Sequence, residues 1–301
     1  MTYVLDHWSF DPIVIAVAAL VGLHEVGLLH LRGRSRLEST RARRRRSYLF
    51  YAGLAVLVIA VVSPIDYYAS EYFFVHVIEH ILIMFLAPVL IVAGAPWTPL
   101  TFGIPAGPRR QIVRAVARGA WFAPLRALRR LLSRPQVAVI TFNVVMVAWQ
   151  LPVLFDAAES NQALHIWAMH GSMLVAGVAF WLQIVDSPPF RTRGTASLQI
   201  EAIVGTNVVM FVLAMSMSIF TNHAWYPAYS RVPGVSLSPF ADQQIGAAIL
   251  WVCGDFWAAP ALIHVIRRAI EQEGSLSNAV DRVFHREAPN HLSGIAEPPG
   301  T

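Results

Sequence analysis

The chain contains no lysine and a single cysteine, and only 14% of its 301 residues are charged. Soluble domains carry roughly 25% charged residues, so the composition argues against an ordinary water-facing domain. The lone Cys253 excludes an intrachain disulfide and every Cys-x-x-Cys metal or redox motif. Its place inside a late apolar run fits a small packed residue. Also missing are a nucleophile elbow, a glycine-rich phosphate loop and a His-Glu-x-x-His helix, which sets aside the familiar hydrolase and nucleotide chemistries. No internal repeat of the kind used by many transporters is visible.

What is there is apolar, with 56% of residues hydrophobic. Seven runs have the character of membrane spans: 12–31, 48–63, 76–96, 136–151, 163–185, 198–220 and 242–266. All 23 basic residues are arginine, and their placement is one-sided. Eight fall between Arg32 and Arg46 and eight between Arg109 and Arg134; Arg191, Arg193, Arg267 and Arg268 border later spans. Arginine gathers in loops facing the cytoplasm. The pattern therefore predicts an N-terminus outside and a cytoplasmic C-terminus, with Arg231 alone on the outer side. Beside a membrane span the arginine block needs no RNA or DNA, and no nucleic-acid partner is expected.

The ends and loops agree with this topology. Asp6 and Asp11 open the chain without any arginine, the reverse of a cleavable signal peptide. The acidic, aromatic stretch 65–74 fits an outer interface. Loop 97–134 mixes arginine with leucine, isoleucine and valine, as short amphipathic helices lying on an anionic leaflet do. The expected fold is all-α: a polytopic seven-transmembrane-helix bundle over 1–268, and a polar, partly disordered cytoplasmic tail over 269–301.

The candidate site centres on HVIEHILIMFLAPVLIVAGAP, residues 76–96. His76 and His80 stand one turn apart on one helix face, about 6 Å along the axis, with Met84 a further turn on. Ionisable groups inside a membrane are costly and mark functional sites by default. Glu79 reads as a partner fixing an imidazole tautomer. His165 and His170 lie in the outer half of the fifth run. On an α-helix they point about 140° apart, so one metal could not take both without help from another helix. Met210, Met215, Met217 and His223 map to the same outer level. Asp242 opens the seventh run, as a helix cap or as a site residue. Imidazole with thioether suits copper, particularly Cu(I). Deeper in, His24, Glu25 and Asp255 form either a paired polar cluster or a proton path.

Together, His76-x-x-x-His80 with ILIMFLAPVLIVAGAP, then WQLPVLFDAA, HGSMLVAGVAFW around His170 and DQQIGAAILW from Asp242 resemble the polytopic CtaG-like cytochrome c oxidase assembly factors over about residues 50–266. The resemblance implies a non-catalytic protein of the bacterial inner membrane that delivers or inserts copper during oxidase maturation. Its partners would be the oxidase subunits, a periplasmic copper chaperone and membrane lipids. The implied metal residues are His76, His80 and His170, with Met84, Asp242 and His165 as further candidates. This chain departs from the family pattern twice: Gln150 replaces a histidine before Leu-Pro, and His165 stands five residues ahead of His170 instead of four. A bis-histidine haem carrier and a small-molecule or metal transporter are the competing classes.

Overall fold

The computed structural model of the protein describes residues 7–8, 13–32, 40–226, 229 and 237–273. Asp6, Asp11, Arg231 and the tail beyond Glu273 lie outside them, together with the readings made there. The described residues form helices and turns without a strand, as an all-α bundle requires.

Among the described residues, six helices are long and apolar enough to cross a bilayer: Ile13–Leu31, Thr40–Val62, Phe73–Gly94, Leu164–Ile184, Ala196–Ser218 and Pro239–Gln272. The expected fourth crossing is the 14-residue helix Pro135–Ala148. It covers about 21 Å at 1.5 Å per residue, against a hydrocarbon core of about 30 Å. It reaches spanning length only together with Ala120–Leu132, from which it turns by 100°. Proline causes the turn: Pro135 takes the first helical position and holds Arg134 in extended backbone. The described residues therefore hold six helices of crossing length and composition, or seven if the bent pair counts as one.

The arginine-rich loop folds into Trp97–Gly103, Ala106–Arg118 and Ala123–Leu132. The first packs against Ile13–Leu31. The other two bury nothing, and they expose Ile112, Leu125, Leu128 and Leu131 beside their arginines; Trp121 between them is 95% exposed. That is the amphipathic pattern expected of a surface-lying helix pair.

The Phe73–Gly94 helix is the axis of the bundle. Some 61% of its core window is buried, against 11% for Ile13–Leu31. Around it pack Thr40–Val62, Leu164–Ile184 and the long Pro239–Glu273 helix. Glycine allows the closest approaches: a Cβ on Gly177 would collide with the Met84 carbonyl oxygen, and one on Gly94 would sit 2.6 Å from the Phe50 amide nitrogen. The axis ends where Ala95 adopts the left-handed region, φ 46°, just before Pro96.

The two ends of the bundle differ chemically. At one end Arg268 pairs with Asp186 at 3.0 Å and donates to Thr192 at 2.8 Å, while Arg193 reaches Ser133 at 3.4 Å. Arg45 and Arg46 line the same 740 Å³ cavity as Asp186 and His264. At the opposite end the start of the axial helix meets the start of the Pro239–Glu273 helix. The deeper polar residues form two separate groups. His24 Nδ1 lies 2.6 Å from the Tyr51 hydroxyl, which donates to Glu25 Oε1 at 2.5 Å; Asp255 instead accepts from Asn207 Nδ2 at 3.1 Å.

Candidate functional site

The end opposite the arginines carries a cluster of four histidines, His76, His80, His165 and His170. His76 and His80 project from one face of Phe73–Ile81, as i and i+4 positions must. Both are buried, and their Nε2 atoms are 2.7 Å apart.

His165 and His170 also come together, contrary to the divergence that α-helical spacing predicts. Residues Leu164–His170 are π-helical. In a π-helix the hydrogen bonds run from i to i+5, so residues five apart return to one side. The two Nε2 atoms are 3.0 Å apart. The extra residue beyond an α-helical i, i+4 spacing is absorbed by this wider turn. The rings then face the axial pair: His76 and His165 have centroids 5.3 Å apart, and His80 and His170 5.7 Å.

Two carboxylates complete the cluster. Glu159, at the end of the short helix Pro152–Glu159, places Oε1 3.0 Å from His165 Nδ1 and 3.7 Å from His76 Nδ1. Glu79 is 0% exposed, with Oε1 3.6 Å from His170 Nε2. Neither oxygen of Glu79 has a hydrogen-bond partner, nor has Nδ1 of His80. Buried polar atoms in native proteins are nearly always paired. An orphaned carboxylate beside imidazole lone pairs is the pattern a bound cation would satisfy, and His/Glu donors fit a first-row transition metal. Among the described residues, two groups have donor atoms lying within 4.8 Å of one another: His76, Glu159 and His165, and Glu79, His165 and His170.

Neighbouring residues hold the cluster in place. The Tyr229 hydroxyl lies 3.0 Å from His76 Nδ1 and donates to the Ala69 carbonyl at 3.0 Å. Burial, reinforced by the Glu159 and Glu79 charges, pushes its phenol well above the ordinary value, so it stays a neutral hydrogen-bonding group. Gln150 is buried and accepts from Tyr226 Oη at 3.2 Å.

Asp242 takes a different place from a ligand. Its Oδ2 accepts from the Phe73 amide at 2.8 Å and its Oδ1 from the Phe74 amide at 3.0 Å. It thus caps the axial helix in trans, where Tyr72 supplies no side-chain cap, while Ser238 caps Asp242's own helix through Ala241 N. Met84 sits in the π-helical segment Leu82–Leu86 and packs in the apolar core, as do Met210 and Met217. His223 is exposed and contacts Thr221 and Asn222.

Sequence reasoning overlooks Glu159 and Tyr229. Glu159 carries a faint signal, an acid six residues before His165 at the expected outer level. Tyr229 carries none, since only tertiary folding brings it to His76.

The cytochrome c oxidase caa3 assembly factor family matches the chain over residues 26–272. An uncharacterized protein of Mycobacterium bovis is 26% identical over 292 residues, covering 93% of this chain and 42% of its own length. An uncharacterized protein of Mycobacterium tuberculosis matches equally well. One of Mycobacterium leprae is 24% identical, with coverage of 91% and 41%. The chain thus spans about two-fifths of the length of these curated relatives. No solved structure matches it.

Proposed function

The chain belongs to the cytochrome c oxidase caa3 assembly factor family, and from that premise we propose that it is a non-catalytic, multi-pass membrane protein that holds copper at its histidine-lined end and hands it on during oxidase maturation. The observation that carries this reading is Glu79. An ionised carboxylate in a dry interior costs several kcal/mol unless a counter-charge meets it, and Glu79 faces the His165 and His170 imidazoles of the neighbouring span without a hydrogen-bond partner. A copper ion among His76, His80, His165 and His170 supplies that charge, and imidazole is a favoured copper donor. Ring separations of 5.3 and 5.7 Å across the two helices suit an ion and leave little room for a porphyrin between them.

Arginine retention on the cytoplasmic side sets the histidine end outward. In a bacterial inner membrane that is the side from which a periplasmic copper chaperone would load the site and at which oxidase subunits would receive the ion. Deleting the gene should lower oxidase activity while oxidase subunit transcripts persist, with partial recovery on adding copper. Normal activity and normal oxidase copper in the deletion strain would remove the reading.

A further inference from the structure

His165 stands in both donor groups of the cluster, and it does so through different atoms. Nδ1 faces Glu159 Oε1 at 3.0 Å, beside His76; Nε2 faces His170 Nε2 at 3.0 Å, beside Glu79. One ring therefore separates two sets of donors, each made of two imidazoles and one carboxylate. We propose that the site is binuclear: two divalent copper ions, one held by His76, Glu159 and His165 and the other by Glu79, His165 and His170, with the His165 ring as the bridge. The inference rests on the copper reading above and adds to it the number, charge and arrangement of the ions.

Two observations select divalent ions over Cu(I). Each donor set includes a carboxylate, a hard anionic ligand better matched to a 2+ ion, whereas thioethers favour Cu(I); Met84, Met210 and Met217 are packed into the apolar core. The charges also match in number, since each carboxylate offsets part of one ion's charge. Glu79 has no hydrogen bond, and Glu159 Oε1 has none either, so each acid has a lone pair to give. A bridging ring binds both ions as imidazolate. Its remaining N–H proton leaves to solvent past the His165 side chain, which is 19% exposed while the other three rings are nearly closed off. The π-helical turn is what permits the bridge, because it brings the His165 and His170 rings together nearly perpendicular, with centroids 4.4 Å apart.

The test uses the full-length protein, purified in detergent, loaded with copper(II) sulfate and dialysed. Metal analysis should give two copper ions per chain. The electron paramagnetic resonance signal should integrate to far less than the copper present, because an imidazolate couples the two spins. Glu79→Gln and Glu159→Gln should each retain one ion and show a signal equal to their copper content; each keeps side-chain volume, and unchanged helical circular dichroism and elution volume confirm folding. One ion per chain, lost in a His76→Ala/His80→Ala variant but indifferent to both glutamine variants, overturns the binuclear site and leaves the copper reading standing. Two ions with a full, uncoupled signal overturn the bridge. No retained copper overturns both.

Discussion

His165 and His170 are five residues apart in sequence, yet their Nε2 atoms approach to 3.0 Å because the backbone between them is π-helical. His165 stands in both donor groups and His170 in one, so replacing His165 with alanine should weaken copper retention more than replacing His170, each by at least about tenfold for a lost ligand (one tenfold step being ~1.4 kcal/mol). Equilibrium dialysis against a competing chelator measures this; a His165→Ala protein that holds copper like wild type would place the site on His170 and the axial pair alone.

The same helix geometry gives a prediction about stability. Asp242 caps two amides of the axial helix, and loss of an N-cap costs about 1 kcal/mol, within a range of about 0.5–2. Asp242→Ala should lower the thermal midpoint of the purified protein, and Asp242→Asn should lower it less, since one acceptor oxygen survives. Equal loss in both variants would assign the effect to the negative charge near the helix start instead of the hydrogen bonds.

A second stability contrast sits on glycine. Gly177→Val places atoms against the Met84 carbonyl, where no room exists, whereas a Cβ at Gly205 meets nothing within 4 Å. The first change should destabilise by about 1–3 kcal/mol or more, as overpacking does, and should disturb the site by shifting the fifth span against the axis. Gly205→Ala should be neutral or slightly favourable in a helix interior. Similar melting behaviour for the two would contradict the close helix contact.

Topology follows from charge. Reporter fusions after Ser70 and after Gly107 should read outside and cytoplasmic respectively, by the positive-inside rule. The opposite pair would turn the histidine end toward the cytoplasm and away from a periplasmic donor.

Much of the fold is legible in the sequence, because hydropathy is a summed property that survives ignorance of tertiary contacts. The crossings around residues 20, 55, 85, 175, 208 and 255 read clearly for that reason. The run at 136–151 reads as a full span because its apolar count is right, while Pro135 limits the helix it starts to 14 residues. At the site, His76 and His80 are legible since α-helical periodicity places them correctly. His165 is misjudged for the converse reason: a period of 3.6 is assumed where the chain uses a wider turn, and neither glycine nor proline marks the Leu164–His170 segment. Asp242 is legible as a capping residue but not as a cap for Phe73, which lies 169 positions away. Glu159 and Tyr229 reach the cluster only through packing, which a single sequence does not display.

Both helices that supply histidines contain a π-helical segment, Leu82–Leu86 in one and Leu164–His170 in the other. A π segment is an α-helix with one residue more than its length requires, so it acts as a phase shift: whatever follows it is rotated by about 100° relative to whatever precedes it. In the fifth span Gly177 follows the shift, and it is the residue that meets Met84. Removing one residue between His165 and His170 would shorten their spacing to four and at the same moment swing Gly177 off the Met84 carbonyl. The count of residues in that single turn therefore keeps two registers at once, one for chemistry and one for assembly of the bundle, and a lone deletion or insertion there cannot adjust either without the other.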